Sequence, residues 1–219
     1  MNSSICCYTC ITGSYNELSE HPSIPGIDWI AFSDTVNMDP DWEIRRIQTP
    51  VGMTPRRAAK YFKMRPDLVL PEYDQSIWID GTVRVNSPTF AFEALSWTSG
   101  SGIALFRHPE RDDILHEADV SLTMPKYQAE PIDTQVEHYL NSGFPRHGGL
   151  WCGGIIARQH TDLVKQLGEA WLDEVDRWSI QDQLSLPYVL RELGITPGAF
   201  PASLYSNPWF TITGHNPNR

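Results

Sequence analysis

The sequence predicts an α/β fold: a single domain built on a mainly parallel central sheet. Three observations carry that expectation. Apolar, strand-like runs alternate with amphipathic, helix-like runs along most of the chain. The first run, Ile5–Ile11 (ICCYTCI), has no polar face, as expected of an interior strand covered on both sides. The strand-like runs also end in small or acidic residues: Thr12-Gly13-Ser14-Tyr15, Asp34-Thr35 and Asp80-Gly81.

In order, Asp28–Ser33 (DWIAFS) reads as the second strand and residues 42–47 (WEIRRI) as a short third. Pro55 stands at a helix-start position and opens a helix over 56–65. Residues 76–79 predict the next strand, 89–97 a helix, and 102–106 (GIALF) another buried strand ending at Arg107-His108-Pro109. Helices over 112–122 and 133–141 follow. Residues 145–154 (PRHGGLWCGG) read as a glycine-rich loop leading into a strand at 155–157. Apolar residues at 163, 164, 167, 171, 172 and 175 mark an amphipathic helix over 161–175. Another helix is expected over 179–193, and 196–219 reads as irregular and aromatic. Neither a repeat nor a linker divides the 219 residues, so one domain is expected.

With 41% hydrophobic and 20% charged residues, the composition is that of a folded domain rather than a disordered chain. A formal net charge of −10 disfavours stable binding to nucleic acid or to an anionic membrane. No run reaches the ~20 apolar residues of a membrane span. The opening MNSSICCYTC lacks the basic start and apolar core of a signal peptide, so a cytoplasmic location is expected. Cys6, Cys7, Cys10 and Cys152 are too few for a disulfide scaffold. Cys7 and Cys10 lie three apart on a strand, facing opposite sides, and read as buried thiols rather than as half a metal site.

The chemistry-bearing residues begin with the cations. Arg45, Arg46, Arg56, Arg57, Lys60, Lys63 and Arg65 place seven of the chain's 17 Lys and Arg within 21 residues. Arg56, Lys60 and Lys63 follow the i, i+4, i+7 spacing of one helix face, which suits a diphosphate or, more plainly, solvent. Asp80, in SIWIDGTVRV, reads either as the first residue of an Asp-Gly hairpin turn or as a carboxylate delivered to the carboxyl end of a strand. Asp182, in SIQDQL, is either a helix cap for Ser179 or, with Gln183, a polar group facing a ligand. No two histidines have recognisable metal spacing. His108, His147 and His215 fall in loops, where ligand contacts concentrate.

Taken in order, YTCITGSYNEL, DWIAFSDT, RRAAKYFKMRPDLVLPEYDQSIWIDGTVRV, LFRHPERDDILHEA, GGLWCGGIIARQH and RWSIQDQLSLPYVL resemble a glycosyltransferase-like domain of plant cell-wall and mucilage proteins and of bacterial polysaccharide proteins. The resemblance spans roughly residues 8 to 193. It implies a GT-A-like, Rossmann-like sandwich that binds a nucleotide sugar. Residues 1–100 would form the nucleotide-sugar half and 101–219 the acceptor half.

Carried over, Thr9, Thr12, Gly13, Tyr15 and Asp34 would meet the nucleotide, and Arg57, Lys60 and Lys63 would supply the basic helix. Asp80 would hold Mn²⁺ or Mg²⁺, and Asp182 and Gln183 would be the catalytic pair. His108, His147, Gly148, Gly149 and Trp151 would lie on the acceptor side, with residues 146–154 as a lid. The sequence departs from a full Asp-x-Asp at Asp80-Gly81-Thr82, which leaves His215 as a further metal ligand.

The expected activity is metal-assisted transfer of a sugar from a nucleotide diphosphate to the hydroxyl of a glycan. Asp182 would either take the acceptor proton or stabilise a cationic sugar. A non-catalytic sugar-nucleotide binding module of the same fold is the alternative. A metal-dependent phosphoesterase ranks last, for want of clustered ligands.

Overall fold

The computed structural model describes residues 4–49 and 53–213. In chain order, β1 is Ile5–Ile11, β2 Asp28–Ser33 and β3 Glu43–Arg46, followed by α1 Pro55–Met64 and the single turn α2 Pro66–Val69. Then come β4 Gln75–Ile79, β5 Val83–Val85, α3 Phe90–Ser96, β6 Ile103–Arg107 and α4 Ile114–Leu122. A 3-10 turn at Pro125–Tyr127 precedes α5 Ile132–Asn141, β7 Trp151–Gln159 and α6 Asp162–Arg177. The last elements are α7 Asp182–Glu192, β8 Gly198–Ala199 and β9 Phe210–Ile212.

Seven strands form one sheet in the order β3-β2-β1-β4-β7-β6-β8. The pairs among β3, β2, β1 and β4 are parallel, as is β6 with β8, whereas β7 runs antiparallel to both β4 and β6. Six strands therefore point one way, and the expected mainly parallel α/β sheet is present. The strands come from both halves of the sequence, so a single layer runs through the whole domain.

Period-two alternation divides the core. Cys7, Ala31, Ile77 and Ala157 pack on one face with Trp209 and Phe210; Cys6, Tyr8, Cys10, Trp78 and Ile156 pack on the other with Leu167 and Trp171. Cys7 and Cys10 thus face opposite sides. All four thiols are free and buried, and burial pushes that of Cys152 up to about 12.

One open reading is settled in favour of a strand end, and one expectation needs correction. Asp80-Gly81 does not close a hairpin on β4. It makes a tight turn, with Val83 N–H donating to the Asp80 carbonyl at 2.9 Å, and sends β5 away to pair with β9. A Cβ at Gly81 would sit 2.6 Å from Ile11 Cδ1, so a larger residue there would have to displace that side chain. The expected loop over 146–154 is also too long: Trp151 to Gly154 already belong to β7, paired with β6 and β4, and cannot act as a lid.

Helix α1 is the element that matters for the site. Thr54 caps it by accepting from Arg57 N–H, and Pro55 occupies the first turn. Its far end is seated on the sheet by Tyr8 Oη and Arg158 Nη1, which both donate to the Lys63 carbonyl, at 3.2 and 2.6 Å. Gly168 of α6 lets α1 approach: a Cβ there would lie 2.2 Å from the Met64 carbonyl oxygen. Gly168→Ala is therefore expected to cost about 2 kcal/mol or more of stability, by overpacking against backbone that cannot step aside. Chemical denaturation checks it.

Candidate active site

At the carboxyl ends of β1, β4 and β6 the sheet opens into a cleft of about 350 Å³, the position where open α/β sheets bind ligands. Its floor is a line of alternating charges. Lys63 Nζ donates to Asp182 Oδ2 at 2.6 Å, Lys60 Nζ lies 2.8 Å from the same oxygen, and Lys63 Nζ is 3.8 Å from Asp80 Oδ1. The two lysines leave α1 on one face, i and i+3, while the first turn of α7 brings Asp182 from the opposite wall. Trp171 Nε1 fixes that turn by donating to the Asp182 carbonyl and to Ser185 Oγ. Lys63 Nζ also lies 5.8 and 5.9 Å from the ring centroids of Trp78 and Trp171, so two indole faces help replace its lost water.

Burial opposes ionisation of Asp182, but Lys60 and Lys63 outweigh it and hold the carboxyl well below its usual range. Burial likewise pulls the Lys63 ammonium down; Asp182 and then Asp80 overcome that and keep it charged. Asp182 is therefore no helix cap. Its low proton affinity also makes it a poor acceptor of a substrate proton. Gln183 lines the cleft beside it. Asp80 remains partly open, its side chain 41% exposed, and Trp78 Nε1 donates to its Oδ1 at 2.6 Å.

Arg56 and Lys126 stand at the mouth. Arg56 donates to Tyr15 Oη and lies 4.7 Å over that ring, while Lys126 Nζ rests 4.8 Å from the Tyr127 ring. No carboxylate among the described residues pairs with either cation. Burial, then Arg56, pull the Lys126 ammonium below its usual value. Next to this mouth, Thr12, Gly13, Tyr15, Asn16 and Arg56 line a second recess.

The far wall carries His108, Arg111, Glu117 and Tyr205. Glu117 accepts from Arg111 Nε at 2.6 Å and from Gln181 Nε2 at 2.9 Å. Burial raises its carboxyl above the usual value, only partly opposed by Arg111.

Several expected site residues lie elsewhere. Arg57, one position round the helix from Arg56, turns out of the cleft to bond the Val175 carbonyl and to face Glu130 and Asp176. Thr9 is buried within the sheet. Asp34 is an internal brace, accepting from Gly13 N–H and Thr49 Oγ1 at 2.9 Å each. His147 is bonded to Asp112, and with Gly148 and Gly149 it forms a loop that does not line the cleft. Trp151 is buried in β7 beneath the Arg107 guanidinium. His215 lies outside the described residues.

A family model for the TOD1/MUCI70 glycosyltransferase-like domain matches residues 31–208. The chain belongs to this family. Over 143 residues, 61% of the chain, it is 32% identical to the probable hexosyltransferase MUCI70 of Arabidopsis thaliana, and it spans 25% of that relative's length. Among solved structures, the apo structure of the bifunctional glycosyltransferase WbbM superposes on 91% of the chain with a TM-score of 0.52. The match covers 39% of that structure's chain at 13% identity, a likeness of fold alone.

Membership in a glycosyltransferase-like family raises the question of a divalent ion. Of the two expected ligands, Asp80 stands at the cleft with its side chain 41% exposed, and His215 lies outside the described residues. No three His, Cys, Asp or Glu side chains gather among them, and the two carboxylates on the cleft floor already face ammonium groups.

Arg56, Lys126, Arg111 and Glu117 are the charged cleft residues that the family motifs did not single out. For Arg56 the signal was its spacing with Lys60 and Lys63. Lys126 and Glu117 carried none, one standing in a short turn and the other in an ordinary helical pattern.

Proposed function

We propose that this domain is a glycosyltransferase that moves a hexosyl group from a nucleotide-diphosphate sugar to a hydroxyl acceptor on a glycan. The observation that carries this reading is the charge of the cleft: Arg56, Lys60, Lys63, Arg111 and Lys126 against Asp80, Glu117 and Asp182, in a chain of net charge −10. A surplus of cations, gathered where open α/β sheets bind ligands, suits an anionic diphosphate donor.

In this reading Arg56 and Lys126 hold the phosphate oxygens at the mouth, and the recess of Thr12, Gly13, Tyr15 and Asn16 takes the nucleoside. Lys63 and Lys60 meet the negative charge that grows on the diphosphate as the sugar–oxygen bond breaks. This is fixed electrostatic stabilisation that needs no reorganisation during the reaction. Asp80 faces the sugar. Glu117, whose proton affinity burial has raised, is better suited than Asp182 to take the acceptor hydroxyl's proton. Tyr205, 64% exposed at the rim, offers a flat apolar face to an acceptor sugar.

The test is a panel of UDP-, GDP-, ADP- and dTDP-sugars, with donor hydrolysis and transfer followed by chromatography. At least one donor should be consumed. Asp80→Asn should lower that rate by about 100-fold, with little change in thermal midpoint because the carboxylate is partly exposed. Donor binding with no turnover on any acceptor would favour the binding-module alternative.

A further inference from the structure

We infer that sugar transfer in this cleft neutralises the departing diphosphate with side-chain cations and not with a protein-held divalent ion. The inference rests on the function proposed above and deepens it. A hard dication takes six or more oxygen ligands, and a site that binds one together with substrate phosphates still draws one or two carboxylates from the protein. Among the described residues, each carboxylate lining this cleft already has a cation or an N–H donor on one of its oxygens or on both. Asp182 Oδ2 has Lys63 Nζ at 2.6 Å and Lys60 Nζ at 2.8 Å. Glu117 is bonded by Arg111 and Gln181. Asp80 Oδ1 accepts from Trp78 Nε1 at 2.6 Å and has Lys63 Nζ 3.8 Å away. A dication on Asp80 would share that acid with a buried ammonium.

The backbone is also built around this ammonium. A Cβ on Gly153 would lie 2.7 Å from Lys63 Nζ, so the strand that floors the cleft has a glycine where the lysine enters. Lys63 thereby places a fixed positive charge beside Asp80, 3.8 Å from its Oδ1. Arg56 and Lys126, with no carboxylate partner among the described residues, extend the cationic surface outward from it. In the transfer itself, the bond from the sugar carbon to the diphosphate oxygen breaks with its electron pair going to that oxygen, whose charge the ammonium groups meet. The acceptor oxygen forms the new bond to the carbon and passes its proton to the Glu117 carboxylate.

The test uses metal-stripped protein and two readouts. Calorimetry with UDP, GDP, ADP and dTDP, in EDTA and then in excess Mn²⁺ or Mg²⁺, should give a nucleotide whose Kd changes by no more than about threefold. Spin resonance of Mn²⁺ should show no loss of the free-ion signal beyond that caused by the nucleotide alone. Binding that appears only with Mn²⁺, with a stoichiometric signal loss abolished by Asp80→Asn, would overturn this inference and leave the glycosyltransferase reading in place. Failure to bind any of the four nucleotides under both conditions would overturn the two together.

Discussion

Asp182→Ala is expected to remove about 3–5 kcal/mol of stability and to lower sugar transfer about 10³-fold. The side chain is 6% exposed and its Oδ2 is the meeting point of Lys60 and Lys63, at 2.8 and 2.6 Å. Without it, two ammonium groups face each other in a nearly dry site, with only the 3.8 Å contact to Asp80 Oδ1 as compensation. An unpaired buried charge costs far more than the pair contributed, which is why truncation exceeds the worth of one ion pair.

Asp182→Asn keeps the shape and removes the charge. It should recover part of the stability but not the activity, since the lysines would no longer be aimed. The pH dependence follows from the sign of the shift. The Asp182 carboxyl is held below the usual 3.8 in the folded protein, so its contribution is fully present above about pH 4. That contribution is lost as pH falls through the depressed value. Acid denaturation of wild type beside Asp182→Asn checks this: the difference in stability between them should shrink below pH 4. A constant difference would mean the lysines do not set the ionisation of this acid.

The double substitution Arg56→Gln with Lys126→Gln should weaken binding of a nucleotide diphosphate about 100-fold, with little change in thermal midpoint. Both cations stand at the mouth with no carboxylate partner among the described residues, so nothing buried is left unsatisfied when they go. Added salt should weaken wild-type binding more steeply than binding by the double variant. Arg57→Gln supplies the contrast. Its guanidinium bonds the Val175 carbonyl and faces Glu130, so the loss should fall on stability and leave nucleotide affinity alone. If Arg57→Gln weakens the nucleotide and the double variant does not, the assignment of the helix faces is wrong.

The neighbours Arg56 and Arg57 show how far sequence reading reaches. Helical spacing alone groups Arg56 with Lys60 and Lys63, and that face does enter the cleft. Motif matching chose Arg57, one residue on and about 100° further round the helix, and that side chain packs against α6 instead. The elements themselves were legible because period-two and helical patterns are local. β1 and β2 fall where expected, and the other major elements within a few residues. The glycine-rich run was misjudged at its end, because Trp151 to Gly154 enter β7 through pairing with distant strands rather than through propensity.

By itself the sequence determined an α/β sheet of buried strands, a cationic helix after the third strand, and an acid where β4 stops, since each follows from residues close together in the chain. Only the tertiary structure decided which cations share a cleft with which acids. Lys63 and Asp182 are 119 positions apart, and Lys126 and Glu117 come from elements that carry no signal of their own. Charges interact through space, and no local pattern records which side chains the fold will bring within a few ångströms of each other.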